Sequence, residues 1–541
     1  MPFAAANISP DGEGQEGADM KLLHHSYSTN GVRPSAPRGA DGTDVSYIYS
    51  DGGEVTGVVS VAGTTRYALD KAGRRTRIDS PAGTFGLGYC AWNGNVSAVT
   101  NGNGMVAFYA YDVMDRVTNI AWTAANGTAL GGFSYEYDAA GRIASRGHTL
   151  GGVAFDRAYA YDGLDRLAAD GGVAYTYDAA GNRMTRTENG ETVTYALGAG
   201  DRLASWTGGS YTYNAAGCVT RIERDGRPTL DLTWNCQYQL VSVSTNGVFA
   251  EGYAYDALGR RVSTTNQEGT VRHVYDDSWQ CLADIDENGN VICSYVWGEG
   301  IDNLLAVRIG TETYMALTDI QGTVWGYVDS QNNIVARWTY DAWGNGLSEN
   351  VTTSALASVR YRFQGRERSQ ATGLTNFRMR WYDSETGRWL SKDPIGLGGG
   401  LNSYEFCEAS PLINMDCFGE DVYVPDNSKH GQPHVDRYHG SQNIGRYRKD
   451  GTGIPHKGKM PPRIPMSERG RFLAAASKLR CAGNILAWIP GILDDIDRIS
   501  RAKENGRTYK EQLDKELDET QYLDTPFGII PNPCYKGPLM L

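Results

Sequence analysis

The sequence predicts a mainly β protein in which hairpins stack into one continuous sheet, followed by a small α+β C-terminal domain. Three observations lead there. Gly (67 of 541) and Tyr (33) are both abundant, a balance that favours turns and strands. A Tyr-Asp phrase recurs along the first 350 residues. The charge also changes sign near residue 420: residues 1–420 hold 32 Lys/Arg against 48 Asp/Glu, whereas residues 429–480 hold 12 against 3, with four of the eight histidines.

The phrase has the form Tyr-x-Tyr-Asp-x-x-Gly/Asp-Arg. It reads YAYDVMDRV from Tyr109, YEYDAAGRI from Tyr135, YAYDGLDRL from Tyr159, YTYDAAGNRM from Tyr175, YTYNAAGCV from Tyr211 and YAYDALGRRV from Tyr253. Weaker copies begin at Tyr67, Thr233, His273 and Thr339, so the Asp or Asn returns every ~16 to 26 residues, the period of an array. Each part has a mechanical reading. Tyr-x-Tyr puts both rings on one face of a strand. Asp or Asn bonds the backbone ahead and starts a turn, the Gly three residues on supplies a positive φ, and Arg opens the returning strand. A lone hairpin is marginal in water, so the hairpins must join edge to edge.

These phrases resemble the YD repeats of Rhs proteins, of teneurins and of the C component of insecticidal toxin complexes. Residues 361–406, YRFQGRERSQATGLTNFRMRWYDSETGRWLSKDPIGLGGGLNSYEF, are similar to the Rhs-associated core. The resemblance covers roughly residues 44–420. It implies a β-spiral that curls into a hollow shell, complete or partial, with the core plugging one end and a variable C-terminal polypeptide, usually a toxin, enclosed. The expected organisation is a disordered segment over residues 1–43, the repeat shell over 44–345, the core over 346–420 and a toxin-like domain over 421–541.

Two Asp-x-x-Gly steps mark the seam, Asp393-Pro-Ile-Gly and Asp416-Cys-Phe-Gly. Two carboxylates brought together can share one proton, the ionised member activating water and the protonated one polarising a carbonyl. The resemblance implies that Rhs cores cut themselves after the second of two Asp-Pro-x-Gly-Leu motifs, with an aspartate from each as the catalytic pair. Here the first motif is intact from Asp393 to Leu397. The second keeps Asp416 and Gly419 but has Cys417 for Pro and Glu420 for Leu. The expected cut falls between Glu420 and Asp421, and the acidic residues on both sides would add negative charge beside the pair.

Beyond the seam, PHVDRY and IGRYRKDG read as two short strands, a helix starts near Ser467, Pro490-Gly491 breaks it, and two further helices follow. Histidines beside cations suit metal-free RNA cleavage, in which one imidazole takes the 2'-hydroxyl proton and another group protonates the leaving oxygen. His434 and His439 are the candidate acid and base, His456 a further candidate, and Arg437, Arg446 and Lys457 the phosphate-holding groups. In an extended strand His434 and His439 fall on opposite faces, so a bend is needed to bring them together. His430, His434 and His439 could instead gather a metal, although no HExxH, CxxC or HNH pattern is present. No cofactor and no metal are expected.

The nine cysteines show no CxxC spacing, which points to free thiols rather than a zinc ribbon or disulfide scaffold. The N-terminus lacks a basic start followed by an apolar run, and no window offers the ~18 apolar residues of a membrane span. The chain reads as a soluble bacterial effector, made in the cytoplasm and exported to or delivered into a neighbouring cell. Its expected partners are a secretion machinery or carrier, a cognate immunity protein and RNA as the target of the tail. Two other classes stay open: a membrane-active tail using residues 471–493, and a non-toxic adhesion or cell-surface protein.

Overall fold

The computed structural model describes residues 43–396 and 400–420, together with the backbone of five short strands beyond them. The expected sheet forms. Thirty-one strands, from Ser46–Tyr49 to Gly346–Val351, make one antiparallel sheet in which each strand pairs with the next in sequence, except that Ile143–Leu150 pairs with both the short Val153–Ala154 and Arg157–Tyr161. The path is a meander with every repeat turn on the same edge of the ribbon.

One set of bonds builds each of those turns. In the repeat at Asp138, one carboxylate oxygen accepts the N–H groups of Ala140 and Arg142 at 2.9 and 3.0 Å, and the other accepts Arg142 Nε at 2.7 Å. Asp112 with Arg116, Asp162 with Arg166 and Asp256 with Arg260 repeat the pattern. The fourth turn residue needs a positive φ, which Gly141 supplies at 87° and which Asp115 and Asp165 adopt at 63°. Aspartate tolerates this left-handed conformation better than most side chains, which explains why it alternates with Gly in the phrase.

A second set of bonds ties each repeat to the one before it. The first Tyr of the phrase is buried, as Tyr135, Tyr159 and Tyr175 show. The second reaches back to the carbonyl that follows the preceding Arg: Tyr137 to Val117 at 2.7 Å, Tyr161 to Ile143 at 2.9 Å and Tyr177 to Leu167 at 2.6 Å. That Arg lies over the same ring, 4.3 Å from its centroid for Arg116 on Tyr137 and 4.7 Å for Arg142 on Tyr161. Trp234 takes the Tyr position in the weak copy at residue 233, its indole N–H donating to the Val219 carbonyl at 2.6 Å.

The ribbon rolls back on itself, so strands some 170 to 230 residues apart meet. The Asp277 N–H donates to the Tyr47 hydroxyl, Tyr89 donates to Glu299, and the Ala342 N–H donates to Asp170, at 2.7, 2.9 and 2.8 Å. Late strands sit inside early ones: Val324–Val328 is buried on both faces, with Trp325 against Phe133 and His148 of the outer layer. This end of the spiral is therefore filled with side chains. Residues 354–396 and 400–420 plug it, held to the turn edge by Tyr404 on the Gly217 carbonyl (2.7 Å), Asn402 on the Ala180 carbonyl (3.0 Å) and Gln321 on the Pro411 carbonyl (2.7 Å). Buried ion pairs of Glu367 with Arg261, and of Asp302 with Arg366 and Arg378, fix the plug from within.

The cysteines among the described residues are free thiols, as the spacing suggested. No helix among the described residues is long and apolar enough to cross a membrane.

Two substitutions separate the two sets of bonds. Asp138→Ala removes the acceptor of two backbone N–H groups and an Arg, and is expected to cost about 1–3 kcal/mol. Tyr137→Phe removes one latch while keeping the ring, and is expected to cost about 1 kcal/mol. Urea unfolding of both variants, compared at constant m-value, checks the order.

Candidate processing site at the plug

Asp393 and Asp416 come together, and a cation lies between them. Arg380, on the strand Arg380–Asp383, reaches Asp393 Oδ2 from Nη1 at 2.9 Å and Asp416 Oδ2 from Nη2 at 3.0 Å. All three side chains are buried, and the guanidinium stacks over the Trp389 ring with 4.1 Å to its centroid. An arginine fork suits this task because its planar donors reach two carboxylates at once.

The segment leading to the expected cut is gripped residue by residue. Arg378 donates to the Cys417 carbonyl, the Met379 N–H donates to Phe418 O at 3.1 Å, and Arg380 Nε donates to the Gly419 carbonyl. Three consecutive residues thus hold three consecutive carbonyls. Asp416 Oδ1 accepts the N–H groups of Gly419 at 2.6 Å and Glu420 at 3.1 Å, closing a turn. Gly419 has a φ of 71°, and a Cβ there would sit 2.6 Å from the Phe377 carbonyl, so only glycine fits. Phe418 packs edge-on against Trp279 of a repeat turn, and Arg378 lies over the Phe418 ring, 4.8 Å from its centroid.

The electrostatics differ from a bare carboxylate pair. The Asp416 pKa is pushed up to about 7, first by burial; Arg380 opposes the rise and Asp393 adds to it. Mutual repulsion, the source expected from the sequence, is thus the smaller cause. Desolvation dominates because Asp416 is enclosed, while Arg380 compensates much of the pair's charge. An acid of this kind is part protonated near neutrality, the state a carbonyl-polarising group needs.

Asp421 lies outside the described residues. In the tail, the backbone forms antiparallel strands Tyr423–Asp426, His434–His439 and Gln442–Arg448. His434 and His439 stand at the two ends of one strand, and Asp436 pairs in register with Arg446 and Arg437 with Gly445. His430, His456 and Lys457 lie outside the described residues, as do the segments read as helices. Arg380 and the 378–380 clamp were missed in the sequence. The signal available was RMRW itself, two arginines on alternate positions ahead of a Trp.

Among the described residues, one group of side chains has metal-ligand chemistry: His273, Cys281 and Asp284, buried, with ligand atoms within 4.8 Å of one another. Arg360 occupies it, bound to Asp284 and 3.2 Å from Cys281 Sγ, while His273 and Tyr295 bond Asp284 at 2.7 and 2.6 Å. A resident guanidinium already neutralises the carboxylate, so this group does not fit a metal site.

The teneurin YD-shell family model matches residues 111–397, more than half of the chain. The chain belongs to the teneurin YD-shell family. Among curated relatives, this YD-shell protein is 29% identical over 383 residues to the "tRNA nuclease WapA" of Bacillus subtilis strain 168, covering 68% of this chain and 16% of the relative. It is 26% identical to the "Double-stranded DNA deaminase toxin A" of Burkholderia cenocepacia strain H111, covering 60% and 24%. The chain thus spans a quarter or less of these relatives' length. Among solved structures, the TcdB2-TccC3 crystal structure matches with a TM-score of 0.58 at 20% identity, over 69% of this chain and 22% of that one. The Photorhabdus luminescens Tc holotoxin pore matches at 0.59 and 19%, over 76% and 22%. These likenesses establish a YD-shell fold of the kind found in bacterial toxins.

Two measurements probe the site. Removing the cation with Arg380→Gln strands two buried carboxyls and is expected to destabilise the fold by about 3–5 kcal/mol. For Asp416, the folded pKa of about 7 exceeds the unfolded value of ~3.9, so the folded state holds the proton more tightly. Its stabilising contribution is complete below roughly pH 4 and is lost as pH rises through about 7. The difference in thermal midpoint between the parent chain and Asp416→Asn should therefore change across that window and be flat above it.

Proposed function

We propose that the YD-shell and plug hold a C-terminal polypeptide, residues 421–541, and release it by cutting the chain between Glu420 and Asp421. The observation that carries this reading is the convergence of Asp393 and Asp416 on Arg380, beside a segment clamped at Cys417, Phe418 and Gly419. In this reading Asp393, ionised and paired with Arg380, orients and activates water. Asp416, protonated in part, donates to the carbonyl oxygen of the scissile peptide. The 378–380 clamp fixes the chain entering the cut, which removes much of the entropic cost of alignment.

The released polypeptide acts as an RNase-like nuclease in competition between bacteria. Support comes from its basic, histidine-rich character and from curated relatives named as tRNA nucleases. His434, His439 and His456 are the proposed acid–base groups, with Arg437, Arg446 and Lys457 on phosphate. A producer of such a toxin needs an immunity protein, and delivery needs a secretion machinery or carrier.

Denaturing electrophoresis of the purified full chain tests release. A fragment beginning at Asp421 is expected, and Asp393→Asn and Asp416→Asn should each reduce its rate of appearance at least 100-fold. A single uncut band from the parent chain overturns the self-cutting. RNA from cells expressing the full chain tests the tail. Fragmented tRNA or rRNA, abolished by a His434→Ala/His439→Ala pair, is expected; intact RNA with dye uptake would favour a membrane-active tail, and no growth defect an adhesion module.

A further inference from the structure

A small cavity lies on the seam between the ribbon and the plug. Gly181, Arg183 and Trp343 line it from the ribbon, and Gly387, Arg388 and Glu405 from the plug. It is faced by two cations, for Arg183 and Arg388 are each only 5% exposed. Arg183 reaches the Glu385 carbonyl at 3.5 Å and lies beside the Tyr195 hydroxyl. Arg388 donates to the Asn182 side-chain oxygen at 2.8 Å and to the Asp201 carbonyl. All of these partners are neutral. Among the described residues, no carboxylate forms an ion pair with either guanidinium.

The unused polar atoms on the two arginines and Trp343 are all donors. Arg183 Nε and Nη2, Arg388 Nε and the Trp343 indole N–H are buried without a hydrogen-bond partner among the described residues. Trp343 and Tyr175 offer ring faces to the Arg183 guanidinium, with centroids 4.0 and 4.9 Å away. Such faces stabilise the cation but leave its in-plane N–H groups free. A buried donor without an acceptor and a buried cation without an anion are both costly. Burial holds the Arg388 pKa below the ordinary guanidinium value, with Tyr213, Tyr211, Glu405 and Asp201 opposing, so its charge is incompletely compensated.

Glu405 is the one carboxyl that lines the cavity, and it does not supply the missing charge. Burial first, then Glu408, push its pKa up to about 8; Arg388 and Arg166 oppose the rise and Asp178 adds to it. Near neutrality this carboxyl is mostly protonated, hence neutral and itself a donor. Its head rests on the repeat turn, where a Cβ on Gly181 would collide with it. The cavity admits one water-sized body. That size suits a monatomic anion and leaves no room for phosphate or sulfate. A water could accept from two of these donors, but it would bring two hydrogens of its own in need of acceptors.

We propose that Arg183, Arg388 and Trp343 bind a single halide ion, chloride, on the seam between ribbon and plug. The ion accepts from donors that otherwise have no acceptor, and it ties plug residues 386–388 to the repeat turn that carries Arg183. Ionised Glu405 competes with it, so halide binding weakens as pH rises through about 8. The site serves to seat the plug, independently of whether the chain is cut and of what the C-terminal polypeptide does.

Thermal unfolding of the full chain tests it at neutral pH, with sodium chloride, bromide or gluconate at equal ionic strength. Chloride and bromide at about 0.1 M should each raise the midpoint by about 2 °C over gluconate, with saturation. Arg183→Met should abolish the response. Equal midpoints in the three salts, or a response that Arg183→Met retains, overturn the proposal. The line width of chloride NMR is a second readout that needs no variant to fold. Excess broadening by the parent chain, reversed by bromide, is expected, and its absence counts against the site. Glu405→Gln stays neutral at every pH, so it should keep its halide affinity at about pH 9, where the parent loses about tenfold. A matching loss in both chains also counts against the site.

Discussion

The bond on which this structure depends is the one an Asp or Asn carboxyl-type oxygen makes to two backbone N–H groups ahead of it. Seen at Asp112, Asp138, Asp162, Asn235 and Asp256, it closes each hairpin at a fixed length and leaves the next residue ready to re-enter the sheet. Hairpins of this kind have no core of their own. The Tyr hydroxyl that reaches back to the preceding repeat, and the Arg that stacks on its ring, convert a row of marginal units into one sheet. Stability is then a sum over neighbours, and the ends of the array are its weak points.

The rolled ribbon solves one end. Strand 324–328 is buried on both faces, and the plug covers the turn edge with buried arginine–carboxylate pairs. Such pairs contribute little net stability because desolvation offsets their attraction, but removing one partner is costly. They therefore act as registration marks: Asp302 accepts only a plug whose Arg366 and Arg378 arrive together. Arg378 in the same step clamps Cys417, and Arg380 two residues on gathers Asp393, Asp416 and Gly419. Seating the plug and bringing Asp393 and Asp416 together on Arg380 are one event.

Much of the candidate site was legible in the sequence, and the part that was not has a physical reason. Asp393 and Asp416 were visible because Asp-x-x-Gly is a turn with a mechanism. Their meeting required two segments 23 residues apart to fold onto a third strand, which no local pattern encodes. Arg380 was invisible for the same reason: an arginine in a β-strand reads as a solvated position, and only the surrounding plug buries it. Several turns also escaped the reading, those at Asp286, Asp319 and Asp329 among them. They keep the Asp but lack the Tyr pair that marks the other copies.

The sequence by itself determined the hairpin array, the free thiols and the change of character near residue 420. Each follows from interactions spanning five residues or fewer, or from charge summed over a segment. The roll of the ribbon, the inward placement of its late strands, the cation between two carboxyls and the elevated proton affinity of Asp416 were decided by tertiary structure. Those properties depend on which distant surfaces exclude water together, and water exclusion is not a property of any stretch of chain alone.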